Sequence, residues 1–108
     1  MGIRRHKVIY DDSAAGTSDW VHLDTRYEDH FGRVLAIVLT AGDTVELQGT
    51  VKDVKGIDKS FLDDLSASEI HSIKTYTATE NDILEGAWTF IRVVKTGTNG
   101  TALVEGYI

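Results

Sequence analysis

The chain predicts an all-β domain: a β-sandwich of about eight short antiparallel strands, with a jelly roll as one form it can take, and one short helical turn. Three observations carry that prediction. Val, Ile and Thr together supply 31 of the 108 residues, and these β-branched side chains suit a pleated, half-buried surface. Apolar and polar residues alternate over short segments separated by clusters of Gly, Asp, Asn and Ser, the pattern of strands and turns. Helical spacing is almost absent, and strands do not alternate with helices as a parallel α/β sheet requires.

Each element follows from its residues. His6 to Tyr10 is β-prone and short, a first strand at an edge, and Asp11 to Asp19 (DDSAAGTSD) has the chemistry of a loop. From Trp20 to Tyr27, Val21, Leu23 and Tyr27 share one face while His22, Asp24 and Arg26 share the other, which makes a half-buried strand. Arg33 to Thr40 (RVLAIVLT) is apolar at both parities, so this strand is expected to be covered on both faces, the second by a neighbouring subunit. Thr44 to Lys55 alternates again through Val45, Leu47 and Val51, and Val54 breaks the parity as a bulge or strand end does. Ser60 to Ser68 has helical spacing at Phe61, Leu62 and Leu65, with Ser60/Asp63 and Ser66/Glu69 as capping patterns. One helical or 3₁₀ turn is expected there. Lys74 to Thr79 reads as strand. The segment from Gly86 to Ile108 (GAWTFIRVVKTGTNGTALVEGYI) reads as two strands closing a hairpin, with positive φ expected at Asn99-Gly100.

A chain of this length forms one domain that buries roughly two-thirds of its unfolded surface. Residues 1–7 form a basic arm, through Arg4, Arg5, His6 and Lys7, and residues 8–108 form the sandwich. The net charge of −6 argues against a nucleic-acid surface. Cysteine is absent, which excludes disulfides and thiolate metal sites. No apolar run is long enough to span a bilayer, and the N-terminus lacks the apolar core of a signal peptide. The Met-Gly start resembles a myristoylation site, but His6 stands where Ser or Thr is required.

The search for chemistry yields no catalytic, metal or cofactor site. Four histidines, His6, His22, His30 and His71, show no HxH or HExxH spacing, although His22 with Asp24 shares a strand face and Glu28-Asp29-His30 offers loop ligands. The acidic loop of Asp11, Asp12, Ser13 and Asp19 does not match an EF-hand. Asp63, Asp64, Glu80 and Asp82 are paired carboxylates in turn-like segments, unlike the shielded pair that glycoside hydrolysis needs. There is no GxSxG elbow, and Thr96 to Gly100 lacks the Lys and helix of a P-loop. Asn99-Gly100-Thr101 matches a glycosylation sequon, which its turn role explains. Trp20, Trp88, Tyr27, Tyr76 and Tyr107 would serve a sugar-stacking face, the alternative reading of this chain as a carbohydrate-binding module.

The closing segment, Trp88-Thr89-Phe90-Ile91-Arg92-Val93-Val94-Lys95-Thr96-Gly97-Thr98 running into Gly100-Thr101-Ala102, resembles small virion proteins of tailed bacteriophages, and Thr77 to Ile83 fits the same style. The resemblance covers the last third of the chain. It implies a capsid decoration or cement protein, or a related tail, neck or head-fibre accessory protein. It further implies a β-sandwich, often trimeric, made in the host cytoplasm and seated on the outer shell, where it clamps the major capsid protein. In that reading Arg4, Arg5 and Lys7 reach the capsid or a neighbour, and Trp20 and Trp88 anchor interfaces, as large aromatics commonly do.

Overall fold

The computed structural model describes residues 6–23, 33–52, 59–86 and 88–108. Expectations that fall on Arg4, Arg5, Asp24, Arg26, Tyr27, the Glu28-Asp29-His30 loop and Val54 lie outside these residues. Nine strands run through the described chain: β1 (His6–Asp12), β2 (Gly16–Thr17), β3 (Val21–His22), β4 (Arg33–Val38), β5 (Thr44–Thr50), β6 (His71–Tyr76), β7 (Glu80–Leu84), β8 (Phe90–Thr96) and β9 (Ala102–Tyr107). Two 3₁₀ turns, Ser60–Asp64 and Ala67–Glu69, lie between β5 and β6. At the second turn the Glu69 carboxylate reaches back to the Ser66 backbone N–H at 3.1 Å and its hydroxyl at 3.0 Å. Ser66/Glu69 is thus the capping pattern that is used, whereas Ser60 falls inside the first turn, which has no side-chain cap.

The strands form two antiparallel sheets, in the orders β1-β9-β4-β7 and β2-β8-β5-β6, with β3 also on β8. Because β2 and β3 both pair with β8, Gly16 opposite Lys95 and Val21 opposite Ile91, they are two pieces of one interrupted strand. Counted so, eight strands nest: first with last, second with seventh, third with sixth, fourth with fifth. That is the winding of a jelly roll, and it places the all-β expectation within one topology.

The core lies between the sheets. Ile9, Leu35, Ile37, Leu84 and Val104 point in from the first sheet; Val21, Val45, Leu47, Tyr76, Ile91 and Val93 point in from the second. Burial of each aliphatic side chain contributes about 1.5–3 kcal/mol. Edge strands are guarded by charge and irregularity. β1 carries His6, Lys7, Asp11 and Asp12 and a bulge between Val8 and Tyr10, and β6 carries an extra residue, Ile73, opposite Leu47–Gln48. Bulges and charges of this kind discourage edge-to-edge pairing.

One expectation is corrected. β8 and β9 are not a hairpin: β8 belongs to the second sheet and β9 to the first, so residues 97–101 cross between layers. The positive φ accordingly falls at Gly97 (φ 95) and not at Gly100. Gly100 is required for a different reason, since a Cβ there would lie 2.2 Å from Thr40 Oγ1. β4 alternates in burial: Leu35 and Ile37 are enclosed within the chain while Val34 and Val38 face out, so a cover on the second face would have to come from another molecule. Its apolar outward residues belong to a wider patch, described next.

Candidate functional site

The outer face of the first sheet is apolar. Cross-strand register places His6, Tyr107, Val34 and Ile83 in one row, Val8, Glu105, Ala36 and Asn81 in the next, and Asp11, Leu103 and Val38 beyond. Val8, Val34, Val38, Ile83 and Tyr107 are each between 43% and 57% exposed. The Glu105 carboxylate, in the middle row, meets His6 Nε2 at 2.6 Å, and the His6 ring stands edge-on to Tyr107 at 5.9 Å. Hydrophobic surface of this continuity on a small domain commonly marks an interaction site.

The outer face of the second sheet is built differently. Phe90 points outward from β8, yet it is buried because Phe61 of the first 3₁₀ turn packs edge-on against it at 6.0 Å and His22 stacks on it at 4.8 Å. Two residues along, the Arg92 guanidinium lies 4.5 Å from the Trp20 ring centroid, a cation–π contact. Arg92 donates its Nε to Gln48 Oε1 at 2.8 Å, and Gln48 in turn donates Nε2 to Glu46 Oε1 at 2.6 Å. Gln48 stands directly opposite Arg92 in the ladder, so adjacent strands fix this line of polar groups. Partial burial pulls the Arg92 pKa below its ordinary value, against the opposing charge of Glu46. Trp20, Arg92, Lys59, Asp19 and Asp63 border an open depression of about 380 Å³.

Along the side where β6 and β7 meet, the two sheets are clasped by polar groups around a cavity of about 600 Å³. Tyr76 donates its hydroxyl to Asp82 Oδ2 at 2.8 Å, and Lys74 Nζ bonds the same oxygen at 3.1 Å and approaches Glu80 at 3.6 Å. Burial, then the bond to Asp82, raises the Tyr76 pKa well above its ordinary 10. The bond from Tyr76 holds the Asp82 pKa below its ordinary 3.8, despite the cost of burial, with Lys74 and the Ile83 N–H assisting. At neutral pH the carboxylate stays charged and the phenol stays protonated, so neither is tuned for proton transfer there.

At one end of the sandwich, Asp43 and Lys95 tie together loops from separate parts of the chain. Lys95 Nζ bonds Asp43 Oδ2 at 3.2 Å, Ser13 O at 2.9 Å and Gly97 O at 2.6 Å. Asp43 Oδ1 accepts from the Asn99 backbone at 3.1 Å and its amide at 2.8 Å, and Oδ2 accepts from the Gly100 N–H at 3.1 Å. Burial pushes the Asp43 pKa up, but these donors outweigh it and the net direction is down. Thr79 adds the β6–β7 turn, its hydroxyl bonding both the N–H and the carbonyl of Leu39.

Of the residues expected to contact a partner, Lys7 is exposed on β1 opposite Gly106, while Arg4 and Arg5 lie outside the described residues. Trp20 is half-buried beside Arg92. Trp88 packs against the core and over Gly49, donating its indole N–H to Glu85 O at 3.1 Å. His71 lies 5.7 Å from the Trp88 ring. Among the described residues no group of three or more His, Asp or Glu is placed to hold a metal ion, and no helix is long and apolar enough to cross a membrane. Sequence reading missed Arg92, Gln48 and Glu46, whose proximity comes from strand register; the available signal was alternation of polar residues in β5 and β8. The chain matches no protein-family model, no curated protein and no solved structure.

Proposed function

We propose that this protein is a non-catalytic, homo-oligomeric virion accessory protein of the capsid-decoration type, and that it self-associates through the outer face of the β1-β9-β4-β7 sheet. The observation that carries the reading is the apolar face itself, through Val8, Val34, Val38, Ile83 and Tyr107. The favoured occupant is a second copy of this chain, for reasons of size and charge. Four strands at about 4.8 Å and six residues at about 3.3 Å give a plan area of roughly 400 Å². Side-chain relief enlarges that figure toward the roughly 800 Å² per partner of a standard interface. The chain carries a charge of −6, of which this face holds Glu105, hydrogen-bonded to His6, and Asp11 on the edge strand; the apolar side chains around them favour the approach of two copies here.

The resemblance of the closing segment to phage virion proteins supplies the particle context, with the major capsid protein as partner and Lys7, Arg4 and Arg5 as the basic contact. An oligomer that touches several capsomers at once gains strength through effective concentration, even where each contact is modest. Light scattering across a concentration series tests the self-association. The expected result is an oligomer that Val34→Lys/Ile83→Lys converts to a folded monomer; a strict monomer at about 100 μM would sink it. Co-sedimentation with undecorated capsids tests the shell partner, and an absence of particle binding would overturn that part.

A further inference from the structure

We propose that the depression on the second sheet bordered by Trp20, Arg92, Lys59, Asp19 and Asp63 binds a neutral, hydroxyl-rich ligand, a single pyranose ring of a glycan. The site lies on the opposite sheet from the apolar face, so it does not rest on self-association.

Three features of the depression carry this. Its size, about 380 Å³, falls at the lower end of small-molecule sites. Its lining is charge-balanced, with Arg92 and Lys59 alongside Asp19 and Asp63. An anionic ligand would meet two carboxylates and a cationic one would meet two cations, whereas a neutral polyol uses both kinds of group. Carboxylates accept from vicinal hydroxyls and the cations donate to hydroxyl and ring oxygens, each bond strengthened by charge. Trp20, one face of whose ring is already covered by the Arg92 guanidinium at 4.5 Å, offers its remaining ring surface to the C–H face of a sugar.

The second argument is preorganisation. Arg92 is fixed before any ligand arrives: its guanidinium is stacked at 4.5 Å from Trp20, its Nε is held at 2.8 Å by Gln48, and Gln48 is held at 2.6 Å by Glu46. Three of these residues sit on β5 and β8, in the middle of a sheet. Little side-chain freedom remains to be lost on binding, which favours a shallow site that would otherwise be too weak.

The test uses the full chain labelled with ¹⁵N, whose two tryptophans give two indole N–H signals. Methyl glycosides of glucose, galactose, mannose and N-acetylglucosamine, with their short neutral oligosaccharides, are titrated; sialic acid and inorganic phosphate are the anionic comparisons. At least one neutral sugar is expected to move the Trp20 signal and leave that of Trp88 in place, with a dissociation constant on the order of 1 mM. Trp20→Ala and Asp63→Asn are each expected to weaken that affinity about tenfold, and Asp64→Asn to leave it unchanged. Since Asp63 lies on an exposed turn, its variant remains informative if Trp20→Ala fails to fold. No movement by any neutral sugar up to about 50 mM, equal binding by Asp63→Asn, or tighter binding of the anions would each overturn the proposal.

Discussion

Lys95 Nζ stands 3.2 Å from Asp43 Oδ2, and both side chains are wholly shut off from solvent. Lys95 comes from the end of β8 and Asp43 from the turn before β5, and between them they bind Ser13, Gly97, Asn99 and Gly100. A buried ion pair is tolerable only when its remaining hydrogen-bonding capacity is satisfied, and here the backbone does so.

Removing one partner should therefore cost far more than removing both. Lys95→Met leaves a buried carboxylate without its counter-charge and is expected to lower the Tm by about 10 °C or more. Lys95→Met/Asp43→Leu should recover part of that loss but not all, because Asn99 and Gly100 lose their acceptor. Calorimetry of the two variants and the parent checks the order, and a double variant less stable than the single one would contradict it.

The clasp of Tyr76 and Asp82 sets a dependence on alkaline pH. The folded pKa of Tyr76 lies above the unfolded value of about 10, so the folded state holds its proton more tightly. The associated stability is complete below pH 10 and declines as pH rises from there toward the folded pKa. Urea midpoints measured from pH 8 upward should fall above about pH 10 in the parent and fall less steeply in Tyr76→Phe.

At acid pH the sign reverses. Asp43 and Asp82 both have folded pKa values below their ordinary 3.8, so their contribution is present above that value and is lost as pH falls through the depressed ones. Stability of the parent should decline below about pH 4, and Asp82→Asn should start from a lower plateau and decline less. Parallel decline of the two curves would count against the clasp.

Gly106 has no room for a side chain: a Cβ there would sit 2.2 Å from Val34 O, on the neighbouring strand. Gly106→Ala is expected to push β9 from β4 and cost about 1–3 kcal/mol, read from urea denaturation. Phe61→Ala provides a milder comparison. It uncovers Phe90 on the outer face, at about 1–2 kcal/mol, without touching the pairing of β9.

Much of the architecture was legible from alternation alone, because a period of two fixes which side chains point inward. The inward faces of Val45 and Leu47, and of Val21 and Leu23, read correctly. β5 nonetheless ends at Thr50 and leaves Val51, expected on the same face, exposed, and β3 spans only Val21–His22. Pairing was not legible in the same way. A Gly/Thr/Asn turn between two apolar strands is compatible with a hairpin or with a crossing between sheets, and the crossing is held by Asp43, more than fifty residues earlier. β4 shows the same ambiguity: apolar residues at both parities cannot distinguish a strand buried within its own fold from one with an uncovered outer face. Lys95 and Arg33, both buried, are charged residues that composition places at the surface. The Trp20–Arg92 contact was hidden because Trp20, just before β3, and Arg92, on β8, lie far apart in sequence.

The nested winding also governs the order in which the chain can assemble. β5 and β6 are the inner pair, while β1 closes only against β9, so that His6 and Glu105 meet across 99 positions of sequence. Such distant pairings carry a high loop-closure entropy and slow the search for the native state, to milliseconds or longer. During synthesis β1 emerges first and must remain without its strand partner until Ala102–Tyr107 has been made. The charges and bulge along β1 then have a second role: they protect a waiting strand from pairing with the wrong neighbour.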